Sequence, residues 1–119
     1  MTWDEVRALA LELPGAEDGT SYGTPAVKVR GKLLVRLKED GESVVLFMTA
    51  EEKEMRLEAD PAVFHQTPHY VGWPAVLARL ASADPAEIAA VLERTWRGAA
   101  GKRAVAALDA ARAGGVSSG

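Results

Sequence analysis

From Val27 to Lys38 the side chains alternate in character. Val27, Val29, Leu33, Val35 and Leu37 stand on odd numbers, and Lys28, Arg30, Lys32, Arg36 and Lys38 on even ones, with Gly31 at the break. A period of two on either side of a glycine predicts a β-hairpin with one face toward a core and the other toward water. On this reading the wet face is wholly cationic.

The rest of the chain supplies what such a hairpin needs to pack against. Thr2 with Glu5 three residues on is a capping-box pattern, and Trp3, Val6, Leu9, Ala10 and Leu13 recur at helical spacing until Pro14-Gly15. Ala16 to Pro25 reads as a loop that delivers Tyr22 ahead of the hairpin. Ser43 to Met48 reads as a third strand after the turn at Glu39 to Glu42, and Thr49 with Glu52 opens a short acidic helix running to about Leu57. Val63 to Gln66, Tyr70 to Val71 and Val76 to Leu80 are expected as extended segments completing the sheet. Asp84-Pro85 starts a strong helix with Ile88, Val91, Leu92, Thr95 and Trp96 on one side. Gly98 to Gly101 interrupts it, and helical spacing resumes from Lys102 to Ala113.

The expected element order is therefore α-β-β-β-α-β-β-α-α, with the hairpin and the third strand forming an antiparallel meander. One domain is expected over residues 1–113, with a flexible tail over 114–119. The 119 residues, 48% apolar and 26% charged, suit one hydrophobic core. The chain has no cysteine, which excludes disulfides, thiolate metal sites and cysteine nucleophiles. No apolar run approaches a membrane span and no secretory leader is recognisable, so the expected setting is the cytoplasm.

Net charge is −3, yet the charges are segregated. Acids crowd residues 1–24 and 39–60, bases occupy the hairpin, and from residue 94 onward Arg94, Arg97, Lys102, Arg103 and Arg112 face only Asp109. His65 and His69 are four apart, but Pro68 between them removes the helical face that would make them a metal pair. The segment up to Lys32 fails the phosphate-loop spacing, because Ala26 and Leu33 stand where glycine and a hydroxyl residue are required. No catalytic constellation emerges, and neither an enzyme nor a cofactor is expected. Trp3 and Trp96 fall on apolar helix sides, whereas Trp73 lies in a turn-rich segment beside His69 and Tyr70. With Tyr22, these three are the candidate lining of a groove.

Three blocks of sequence carry a resemblance. Leu13-Pro14-Gly15 precedes Tyr22-Gly23-Thr24-Pro25 and then Lys28 with Gly31-Lys32; Thr67 to Leu77 and Thr95-Trp96-Arg97 with Lys102-Arg103 follow. In that order they resemble the MmcQ/YjbR family of small bacterial proteins over about residues 1–112. The resemblance implies a compact α+β domain, an antiparallel sheet backed by helices, similar to secretion chaperones and double-wing domains, and a role in binding DNA. It supplies no catalytic residues.

Two functions are thus expected of the chain. The first is a weakly sequence-specific DNA-binding module using Lys28, Arg30, Lys32, Arg36 and Lys38, with Arg97, Lys102 and Arg103 beside them. Cations on phosphates fix position without reading bases, and the hairpin offers no amide or aromatic to a base edge. The second is a chaperone-like adaptor that binds a protein partner or a second copy of itself through a sheet edge or helix face.

Overall fold

The first helix begins where its capping pattern places it. In the computed structural model, which describes residues 1–118 and side chains as far as Gly114, Thr2 Oγ1 accepts the Glu5 amide at 3.2 Å and Glu5 Oε1 accepts the Thr2 amide at 3.0 Å. This box opens α1 (Trp3–Leu11). Four strands follow: β1 (Ala16–Ser21), β2 (Thr24–Val29), β3 (Lys32–Leu37) and β4 (Ser43–Phe47). Then come α2 (Ala50–Ala59), β5 (Phe64–His65), a 3-10 turn at Pro68–Tyr70, β6 (Ala75–Arg79), α3 (Pro85–Ala99) and α4 (Lys102–Ser118).

The six strands form one antiparallel sheet in the order β1-β2-β3-β4-β6-β5. Its inner face carries α1 and α3. Val6, Ala10, Ile88, Val91, Leu92 and Trp96 pack there against Val27, Val35, Val44, Leu46, Val76 and Ala78. The outer face holds a smaller cluster, Val45, Ala75 and Leu77, covered by Phe47 and by Tyr70 from the segment before β6.

Two elements differ from expectation. Ala16–Ser21 is a strand, making the order α-β-β-β-β-α-β-β-α-α. Its polar composition is poor for a strand in isolation, but every residue of it pairs with β2, and a polar strand is what an edge position tolerates. Tyr70–Val71 is not extended with the sheet: Pro68 opens a 3-10 turn that swings Tyr70 over the outer face. At the C-terminus α4 continues through Ser118, past residue 113 and into the expected tail. Gly119, the last residue of the expected tail, lies outside the described residues.

The hairpin itself is corrected by one residue. Val27 pairs with Val35 but Lys28 pairs with Leu33, so β3 carries an extra residue, Leu34, across from a β2 segment that has none. Strict alternation therefore ends at the bulge. Lys28, Leu33, Arg36 and Lys38 belong to the outer face, while Lys32 stands across from the core residue Val29 and shares its inner side.

Both hairpins close through two-residue turns whose central residues are left-handed: Tyr22 (φ 52°) with Gly23 (77°), and Arg30 (52°) with Gly31 (76°). Glycine carries this conformation freely; tyrosine and arginine carry it at a cost of about 1–2 kcal/mol, and asparagine bears it better. The Tyr22 ring recovers part of this by lying over the Arg36 guanidinium, 5.1 Å from its centroid, a contact contributing about 0.5–1 kcal/mol. Tyr22→Asn is accordingly expected to leave stability unchanged or slightly raised in chemical denaturation. A loss of more than about 1 kcal/mol would contradict the turn strain argued here.

Candidate functional site

The eight cations expected to bind phosphate divide into two sets. Three are engaged by carboxylates. Arg36 is almost fully buried, with Nη1 3.1 Å from Glu39 Oε1, and Lys38 Nζ lies 3.8 Å from the other oxygen of the same carboxylate. Arg97 bridges Glu93 and Asp109, its Nη2 2.8 Å from Asp109 Oδ1. Those bonds, led by the one to Asp109, raise the Arg97 pKa and lower that of Asp109. Exposed pairs of this kind hold geometry more than they add stability.

The other five, Lys28, Arg30, Lys32, Lys102 and Arg103, make no side-chain hydrogen bond or ion pair among the described residues. One contact brings the segment of Arg30 and Lys32 to the segment that opens with Lys102 and Arg103, forming a corner. The β2–β3 turn brings Arg30 against the joint between α3 and α4, where a methyl group on Gly101 would come within 2.5 Å of Arg30 Nη1. Gly101 has a φ of 93°, and this left-handed residue turns the chain directly into Lys102 and Arg103. Arg30 thus reaches the inner side of the sheet, and the single cationic face predicted for residues 28–38 is replaced by an outer-face pair and a corner cluster. Lys28 stands alone on the outer face of β2, opposite Glu17 in register. The acids of α2 do not compensate the hairpin: Glu52 pairs with Arg56 and Arg94, and Glu87 of α3 also pairs with Arg56.

The four residues expected to line a groove do come together. On the outer face Tyr22, His69, Tyr70 and Trp73 line one cleft of about 670 Å3. Leu33, Arg36, Lys38, Val45, Phe47 and Ala75 contribute to its lining. Arg36 is the hub, since Nη2 donates to Tyr70 Oη at 3.0 Å and Nη1 to Thr24 Oγ1 at 3.3 Å, in addition to Glu39. The Glu39 pKa is lowered, first by a backbone hydrogen bond and then by the neighbouring Arg36 and Lys38. The His69 and Trp73 rings stack 6.3 Å apart with an interplanar angle of 17°.

One positioning residue escaped the sequence reading. Lys53 of α2 is buried and donates from Nζ to the carbonyls of Tyr70 at 2.6 Å and Trp73 at 2.8 Å. It fastens the aromatic segment to the helix. Burial lowers its pKa. The visible signal was the stripe Ala50, Lys53, Leu57, whose spacing puts Lys53 on one helix side with two apolar residues.

His65, by contrast, sits in β5 across from Leu77, away from His69, with its Nδ1 buried and without a hydrogen-bond partner. Burial, with Arg79 adding to it, lowers its pKa. Among the described residues no three potential metal-ligating side chains cluster, and no helix is long and apolar enough to cross a membrane.

A small α+β domain is defined by these features, with helices on one sheet face, an aromatic cleft on the other and a basic corner at the hairpin tip. The YjbR family model matches residues 11–98, the greater part of the chain, and the chain belongs to the YjbR family. None of the curated proteins compared with it matches.

Proposed function

We propose that the protein is a nucleic-acid-binding module whose phosphate contacts come from the corner formed by Arg30, Lys32, Lys102 and Arg103. The observation that carries this reading is selective neglect of these side chains. Seven of the 14 lysines and arginines are paired with carboxylates in a chain of net charge −3, yet these four, on segments about seventy residues apart that the Arg30–Gly101 contact brings together, have no carboxylate partner among the described residues. Their mutual repulsion opposes folding unless an anion relieves it. Polyphosphate backbones supply such anions at regular spacing.

If all four neutralise phosphates, log K against log salt should fall with a slope of roughly −3.6 on a duplex and roughly −2.8 on a single strand. Arg30→Glu with Lys102→Glu should weaken binding and flatten that slope by roughly 2 units on a duplex. Fluorescence anisotropy of a labelled oligonucleotide between 50 and 200 mM salt, a range chosen to span the counterion effect, measures both. A salt-independent signal, or one untouched by the double reversal, would remove the proposal. The adaptor reading draws on the exposed Tyr22, Val71 and Trp73; salt-insensitive self-association without oligonucleotide binding would support it instead.

A further inference from the structure

The outer-face groove contains more than phosphate contacts require. Tyr22 is 84% exposed and Trp73 60% exposed, in a chain with only seven aromatic residues counting Trp, Tyr and Phe. A small domain ordinarily commits such rings to its core, as it does with Trp96 and Phe64. Here the two exposed rings line a single cleft, and each is held there by a specific device. A left-handed turn projects Tyr22, and the buried Lys53 anchors the carbonyl of Trp73 while His69 stacks on its ring.

The cleft is also electrically biased. Arg36 and Lys38 share the one carboxylate of Glu39, leaving an excess of positive charge in the lining of the cleft. The basic corner lies at the end of the same strand, for β3 runs from Lys32, on the inner side at the corner, through Leu33 in the cleft lining to Arg36, so a strand joining the two rounds the β2–β3 turn. Four residues of strand cover about 13 Å, a distance that a short run of nucleotides can follow. Rings on a sheet face with cations in the cleft and at the end of the same strand are what a single strand with unstacked bases can use. A duplex keeps its bases stacked inside and cannot offer one to the cleft.

We infer that the groove takes one unstacked base of a single-stranded nucleic acid between Tyr22 and the His69–Trp73 pair, while neighbouring phosphates of that strand reach the cations of β3 and the corner. The inference rests on the nucleic-acid reading above and narrows its substrate to single strands. Because the stacking surfaces accept any base, sequence preference is weak; sugar identity is left to neither ring, so DNA and RNA strands share the site.

The test titrates a twelve-nucleotide oligothymidylate, the corresponding oligouridylate and a twelve-base-pair duplex into the full chain, following tryptophan emission and anisotropy. Either single strand should bind more tightly than the duplex at equal salt and quench emission, and Trp73→Phe should remove most of the quenching. Tyr22→Asn, which keeps the β1–β2 turn, should weaken single-strand binding roughly ten-fold or more while leaving the salt slope in place. The corner variant Arg30→Glu with Lys102→Glu also weakens binding but flattens the slope. Single strands that bind Tyr22→Asn and Trp73→Ala as tightly as the parent, or a duplex that binds as tightly as they do, overturn the base-in-groove inference while the nucleic-acid reading stands. Absence of binding by all three oligonucleotides at 50 mM salt, where phosphate attraction is strongest in this series, overturns both.

Discussion

Trp96→Ala should destabilise the domain by about 3–5 kcal/mol, the range for truncating a large buried aromatic. Trp96 is fully buried in α3, in the cluster that joins α1, α3 and the inner sheet face. Its Nε1 donates to the carbonyl of Pro14 at 2.8 Å, tying α3 to the turn that follows α1. The truncation thus opens a cavity at the centre of the core and orphans a carbonyl at its rim. Trp96→Phe separates the two losses. It keeps most of the packing but not the donor, and should cost about 1–3 kcal/mol, the penalty of an unsatisfied polar group. Urea unfolding of the three proteins measures both differences, and equal stability of Trp96→Phe and the parent would show that the bond to Pro14 adds nothing. Since a domain of this size has only about 5–15 kcal/mol in total, Trp96→Ala should remove from about a fifth to all of its stability.

The core was legible in the sequence because it is written in periodicity. Val6 and Ala10, Ile88, Val91, Leu92 and Trp96 fall at helical spacing, and Val44, Leu46, Val76 and Ala78 alternate, so their inward direction follows from geometry alone. The aromatic cleft was legible for a different reason: Tyr22 and Trp73 lie in turn-rich segments where no core can use them. What sequence pattern failed to convey was the bulge. Leu34, apolar on an even number between Leu33 and Val35, was the one residue out of step, and the extra residue it inserts moves Leu33 outward and Lys32 inward. β1 was hidden because an edge strand is defined by its neighbour and not by its own polar residues. The basic corner depends on Arg30 meeting Gly101, a contact between residues distant in sequence, and no local pattern encodes it.

Lys53→Met is expected to cost about 1–3 kcal/mol and to loosen the aromatic segment rather than the whole fold. The Tyr70 carbonyl keeps the Trp73 amide as a second partner at 3.1 Å, but among the described residues the Trp73 carbonyl has only the ammonium of Lys53. Methionine fills the same space without a donor, so one part-buried carbonyl loses its bond, which sets the magnitude. Removing a desolvated charge offsets some of this loss and keeps the figure below that for Trp96→Ala. A pH series distinguishes the origin. Because burial lowers the Lys53 pKa from its ordinary value of 10.5, the unfolded chain binds more protons than the folded one between the lowered value and 10.5. Stability attributable to this residue therefore rises with pH across that window and falls as pH drops through the folded value. The difference in unfolding free energy between the parent and Lys53→Met should widen in the parent's favour toward pH 10.5; a constant difference would mean that the ammonium is not desolvated as its bonds to the two carbonyls imply. Hydrogen exchange should localise the damage, with amides of Tyr70, Val71 and Trp73 losing protection while those of β3 and β4 keep it. If the aromatic cleft depends on this anchor, the same variant must weaken single-strand binding as Trp73→Ala does, although Lys53 touches neither the Tyr22 wall nor the basic corner.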